Sequence, residues 1–149
     1  MHARINLDNT DYDINAIRDI GIVARLIREF DTTMLEKIYI NYCKYKKFSS
    51  VMPLFKEEYL YPQSDVIAYY DNNILEGFTL MFRYNKKNVA ANQFAWTYHR
   101  PELRLGINSL HYICAYYKSQ EFKYLYLGDA AAYKQNLDGF EVCGGAETL

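Results

Sequence analysis

Between Asp65 and Tyr98 three β-forming runs are separated by two polar turns too short to hold anything but a hairpin. Residues 65–70, 74–84 and 89–98 are rich in β-branched and aromatic side chains, among them Val66, Ile67, Phe94, Trp96 and Tyr98. Asp71-Asn72-Asn73 and Asn85-Lys86-Lys87-Asn88 supply the turns, because Asn and Asp tolerate left-handed backbone. An antiparallel meander follows. Beyond it, Ile107, Leu110, Ile113, Cys114 and Tyr117 recur at helical spacing up to Ser119, and residues 123–128 form a short apolar strand. A helix between two strands of one sheet normally makes a right-handed parallel crossover. The order predicts a mixed α/β (α+β) sheet: a meander first, then a parallel pair on either side of a helix.

Two helices are expected ahead of the sheet. Over residues 13–30 Ile14, Ile17, Ile20 to Val23, Leu26, Ile27 and Phe30 fit a helical stripe, bent at Gly21. A second helix starts at Asp31 and runs through Leu35, Ile38 and Tyr42 to Lys44, Lys46 and Lys47, where positive charge suits the helix dipole. A short helix over 129–135 and a strand over 140–143 complete the order. No repeat or linker divides the chain, so residues 1–149 are read as one domain.

Composition narrows the function classes. With 17 Lys+Arg against 18 Asp+Glu the chain has no bulk electrostatic drive toward DNA or an anionic membrane. Cys43, Cys114 and Cys143 form no C-x-x-C pair and have no His at ligand spacing, which argues against a metal site or a disulfide framework. No apolar leader and no run of eighteen apolar residues occur, so a cytoplasmic protein is expected.

The element order, with Arg104-Leu105-Gly106-Ile107-Asn108-Ser109 between the third meander strand and the long helix, resembles the GNAT superfamily of N-acyltransferases. In that superfamily a Q/R-x-x-G-x-G/A loop and the following helix N-terminus hold the pyrophosphate of acyl-CoA. The physical reason is general: exposed N–H groups and a positive helix end favour an anion, and glycine lets it come close. Leu103 stands in the Gln/Arg position and Asn108 in the second Gly/Ala position. Asn108 would then put a side chain where the pyrophosphate approaches. The last third, from Leu105 through residues 121–128 to Tyr133-Lys134, also resembles the GNAT-like half of aminoacyl-tRNA-protein transferases and Fem-type ligases, which move an aminoacyl group from tRNA to an amine.

The resemblance implies acetyl-CoA as donor, or aminoacyl-tRNA, no metal, and a small-molecule or peptide amine as acceptor. Arg104, Leu105, Gly106, Ile107, Asn108 and Ser109 would hold the donor. Tyr133, just before Gly139-Phe140, would protonate the leaving group. Glu76, Gln93, Tyr98, His99 and Asp129 are candidates for the base, with Tyr98 and Glu76 carried forward beside Tyr133 as catalytic residues. Arg83, Lys86, Lys87, Arg100 and Arg104 would add a basic rim. Lys44, Lys46 and Lys47, interleaved with Tyr42 and Tyr45, suit RNA by stacking and phosphate contact, but read more simply as a solvated helix end. A tail too short for a final hairpin would leave a sheet edge that a second copy could complete, so a homodimer is expected as a partner state. A GNAT-like binding module without catalysis is the third alternative.

Overall fold

The computed structural model describes residues 2–47, 57–129 and 136–143. A seven-stranded mixed sheet is sandwiched between two helices, with strand order β2 (Val23–Ile27), β3 (Ser64–Asp71), β4 (Ile74–Arg83), β5 (Asn88–Trp96), β6 (Tyr124–Asp129), β1 (His2–Asn6) and β7 (Phe140–Cys143). The meander is β3 (Ser64–Asp71), β4 (Ile74–Arg83) and β5 (Asn88–Trp96). Asn72 and Asn73 adopt the left-handed backbone that the first turn demands. Alternation then divides the core. Ile67, Tyr69, Met81 and Trp96 pack beneath α2 (Leu105–Ser119), whereas Val66, Phe78, Leu80 and Ala95 pack beneath Leu35 and Ile38 of α1 (Thr32–Lys46). Asp31 caps α1 by accepting the Thr33 N–H at 2.8 Å, which supplies one of the orphan donors of the first turn. From α2 the chain returns as β6 (Tyr124–Asp129), parallel to β5 as the crossover rule requires. No helix among the described residues is long and apolar enough to cross a membrane.

The helix expected over 13–30 is not formed. Residues Arg18–Ile20 make one 3-10 turn, Gly21 takes φ 80° and ends it, and Val23–Ile27 form β2 as an antiparallel neighbour of β3. The β-branched residues Ile22, Val23 and Ile27 favour the strand, and a helical stripe of this length cannot exclude it. A strand also forms ahead of this segment. Residues His2–Asn6 form β1, whose Ala3 and Ile5 are fully buried.

β1 lies between β6 and β7 (Phe140–Cys143) and is antiparallel to both. The chain's own first strand thus takes the place beside β6, and β7 is the outer strand on that side of the sheet. Residues 144–149 and the helix expected over 129–135, beyond Asp129 at the end of β6, lie outside the described residues.

Gly139 fixes how β7 enters. It has φ 76°, its carbonyl accepts the Asn6 N–H at 2.8 Å, and a Cβ there would sit 2.6 Å from the Asn6 carbonyl oxygen. Both the conformation and the space exclude a side chain. Gly139→Ala should therefore destabilise the fold by about 2 kcal/mol or more, read as a drop in melting temperature of roughly 5 °C.

Candidate functional site

β5 and β6 pair only at Asn88–Tyr124, Val89–Leu125 and Ala90–Tyr126. Beyond Ala90 they diverge while β5 stays zipped to β4. Along this stretch the β5 main-chain groups that would bond a parallel neighbour face an opening instead. A bulge sharpens the divergence: Gln93 pairs with Leu80 and Ala91 with Met81, so Asn92 is the extra residue. Its insertion keeps Ala91 and Phe94 on the α2 side and turns Gln93 toward α1.

The opening is a cleft of about 510 Å³, within the range of small-ligand sites. Phe94, Ile107, Leu110, Ile113 and Leu127 make much of it apolar, and Thr79, Asn92, Gln93 and Ser109 bring polar groups to its walls. Each of these polar side chains is held from behind. Gln93 Oε1 accepts from the Tyr59 hydroxyl at 3.2 Å, and Thr79 Oγ1 lies 2.7 Å from the hydroxyl of fully buried Tyr69. Ser109 Oγ donates to the Gly106 carbonyl at 2.9 Å, and Asn92 Nδ2 donates to Glu58 at 3.3 Å. Burial raises the pKa of both Tyr59 and Tyr69, so each hydroxyl keeps its proton as a donor.

The N-terminus of α2 forms the mouth. Arg104, in the left-handed region at φ 48°, makes the turn into the helix, a role that the sequence pattern gives more naturally to Gly106. The first backbone bond into the helix is Asn108 N–H to the Arg104 carbonyl at 3.1 Å. The N–H groups of Leu105, Gly106 and Ile107 precede it, have no side-chain cap, and have no acceptor among the described residues. Gly106 and Ile107 line the cleft. A Cβ on Gly106 would meet nothing nearer than a Phe94 ring carbon at 4.0 Å, so no packing demand accounts for glycine here. The residue expected to obstruct the mouth does not. Asn108 Nδ2 bonds back to the Leu103 carbonyl at 2.8 Å, and the cleft is lined on this turn by Gly106, Ile107, Ser109 and Leu110.

The structure brings Tyr98, Gln93, Gly106, Ile107 and Ser109 together and leaves other candidates apart. Leu105 is fully buried beneath the helix, so only its backbone serves the mouth. Glu76 lies at a β4 bulge, buried, with its carboxylate accepting from the Thr97 hydroxyl, and is not part of the cleft lining. His99 is exposed beyond the strand. His111 stacks on Tyr12 at 4.7 Å, and burial lowers its pKa. Arg83 pairs with Asp65 at 3.1 Å and Arg100 with Asp71 at 2.9 Å, so these members of the expected basic rim hold the fold. Tyr133 lies outside the described residues. Conversely, Tyr42 and Lys46 reach the cleft from α1, and Thr79, Asn92 and Leu127 join them. Thr79 and Asn92 were not foreseen as site residues, whereas Tyr42 and Lys46 belong to the tyrosine-lysine run that reads more simply as a solvated helix end. Among the described residues no group of three or more His, Cys, Asp or Glu side chains is placed to hold a metal ion.

A helix N-terminus aimed at the gap between two diverging parallel strands defines the GNAT fold, and solved structures bear this out. FemX superposes with a TM-score of 0.69 over 87% of this chain and 52% of its own, at 6% identity. L-PGS from Bacillus licheniformis gives 0.63 over 91% and 50%, at 15% identity. A GNAT family acetyltransferase from Elizabethkingia anophelis with acetyl-CoA bound gives 0.52 over 77% and 70%, at 11% identity. The chain thus has a GNAT fold of the kind found in FemX and L-PGS, and it spans about half the length of those two proteins. No protein-family model and no curated protein matches the sequence.

Proposed function

We propose that this chain is a GNAT-type transferase that moves an acyl group, most simply acetyl from acyl-CoA, to an amine. The observation that carries this is the set of unpartnered N–H groups of Leu105, Gly106 and Ile107 at the mouth of the β5–β6 cleft. Three aligned amides at the positive end of a fifteen-residue helix suit a phosphate, and the space over Gly106 lets one approach. The carrier, when bound, supplies an activated acyl group. The chain's own part is to position that group, exclude water with Phe94, Leu110, Ile113 and Leu127, and present Thr79 and Gln93 to the reacting atoms. Of the candidate bases, Tyr98 and Gln93 line the cleft, and by resemblance Tyr133 gives its proton to the leaving group. Glu76 is left without a part, because its carboxylate is committed to Thr97.

A second donor has its own support. The superpositions on FemX and L-PGS are better than that on the acetyltransferase, and the Fem-type resemblance of the last third implies aminoacyl transfer from tRNA. Thermal unfolding with acetyl-CoA, and separately with aminoacyl-tRNA, distinguishes the donors. The true donor at a hundredfold excess over its dissociation constant should add about 2.7 kcal/mol of stability. An unchanged midpoint with both would leave the non-catalytic binding module as the function.

A further inference from the structure

The cleft has an aromatic rim that acyl transfer itself does not require. Tyr98 lines the cleft, with its ring 4.2 Å from Trp96 and 4.1 Å from Tyr45 at an interplanar angle of 21°. Tyr42 lies nearly parallel to Tyr98 at 5.8 Å and also meets Phe94 edge-on at 5.7 Å. The Lys46 ammonium sits 5.4 Å from the Tyr98 ring centre. Packing of α1 on the sheet explains Tyr42. It does not explain Tyr45, which stacks on Tyr98 and yet remains 59% exposed. Nor does it explain why a tyrosine is held at φ 57°, a conformation unfavourable for a bulky side chain. The Trp96 indole N–H, buried in the same cluster, has no hydrogen-bond partner among the described residues.

Stacked rings beside a cation recognise a flat base that carries a phosphate. Lys44, Lys46 and Lys47 are all exposed at this end of α1, and the free amides of α2 open on the same cleft. We propose that the end of α1 together with Tyr98 is a nucleotide subsite. The adenine of the acyl carrier extends the Trp96–Tyr98–Tyr45 stack, and an adjoining phosphate pairs with Lys46. This rests on the acyl-carrier function proposed above. Adenosine phosphate has two sources, the nucleotide half of CoA and the 3′ end of an aminoacyl-tRNA, and the chemistry is common to both.

Trp96 is the chain's single tryptophan, so its emission reports on the stack. The full chain is titrated by fluorescence and calorimetry with 3′,5′-ADP, with a short oligoribonucleotide ending in CCA, and with acetyl-pantetheine 4′-phosphate, which has no base. At least one nucleotide probe should bind and change Trp96 emission, and the one that binds names the source. Tyr45→Ala and Lys46→Ala should each weaken that probe at least about fivefold, and Tyr45→Ala should hold the base-free probe within about twofold of wild type. Both positions are exposed, so the variants keep the fold. Absence of binding by both nucleotide probes, or equal affinity in wild type and both variants, overturns the subsite. The acyl-carrier function fails separately, if Gly106→Phe leaves binding of the base-free probe unchanged.

Discussion

Gly106→Phe should abolish acyl-carrier binding, at least a hundredfold or about 2.7 kcal/mol, with little change in the unfolding midpoint of the free protein. Gly106 is helical and not at positive φ, so any residue fits its backbone. A side chain there projects toward the cleft, with nothing nearer to its Cβ than the edge of Phe94 at 4.0 Å. Phenylalanine would occupy the space over the free amides and keep a phosphate from reaching them. Gly106→Ala separates the two consequences. It should stabilise the helix by roughly 0.5–1 kcal/mol, since glycine is the costlier residue inside a helix, and should leave most of the affinity in place. Calorimetric titration with acetyl-CoA, beside thermal unfolding of both variants, measures each effect. Equal affinity in wild type and Gly106→Phe would remove the α2 amides from the binding site.

What could be read from the sequence is what short-range chemistry dictates. Strands β3, β4 and β5, both polar turns, α1, α2, β6 and β7 follow from periodicity and turn residues, and all are present. β1 and β2 escaped for a common reason. Each is five residues long and stabilised by neighbours distant in sequence, β1 by β6 and β7, β2 by β3. Hydrophobic periodicity in 13–30 suits a helix taken alone, and tertiary pairing overrides it. The same division runs through the site. Gly106 announces itself by type and context, and the cleft at the α2 tip is where that context places it. The Asn92 bulge cannot be read from β5 alone, because it exists only in the register with β4. Lys46 reads as an ordinary basic helix end until the fold lays that end against Tyr98. Asn108 shows the converse, a residue whose type suggests obstruction and whose rotamer, tied to Leu103, removes it.

The largest loss of stability should follow from Asp65→Ala. Asp65 begins the meander, is 4% exposed, and is the point where three elements meet. Its Oδ2 accepts from the Tyr117 hydroxyl of α2 at 2.8 Å and lies 3.1 Å from Arg83 Nε at the end of β4. Its Oδ1 faces Arg28 just after β2 at 3.5 Å. Tyr117 is almost fully buried, and burial together with the carboxylate raises its pKa, so its hydroxyl stays a donor throughout the working range. Truncation leaves that donor unsatisfied and the partly buried Arg83 uncompensated, which costs about 3–5 kcal/mol and lowers the melting temperature on the order of 10 °C. Tyr117→Phe keeps both arginines paired and should cost only about 1–2 kcal/mol. The double variant should lose less than the sum, because the Tyr117–Asp65 bond can be broken once only. Full additivity in denaturant titrations would show that the two side chains act independently. Since the network anchors the C-terminal turn of α2 and the proposed carrier site lies at the opposite tip, acetyl-CoA affinity of the folded Tyr117→Phe protein should match that of the wild type.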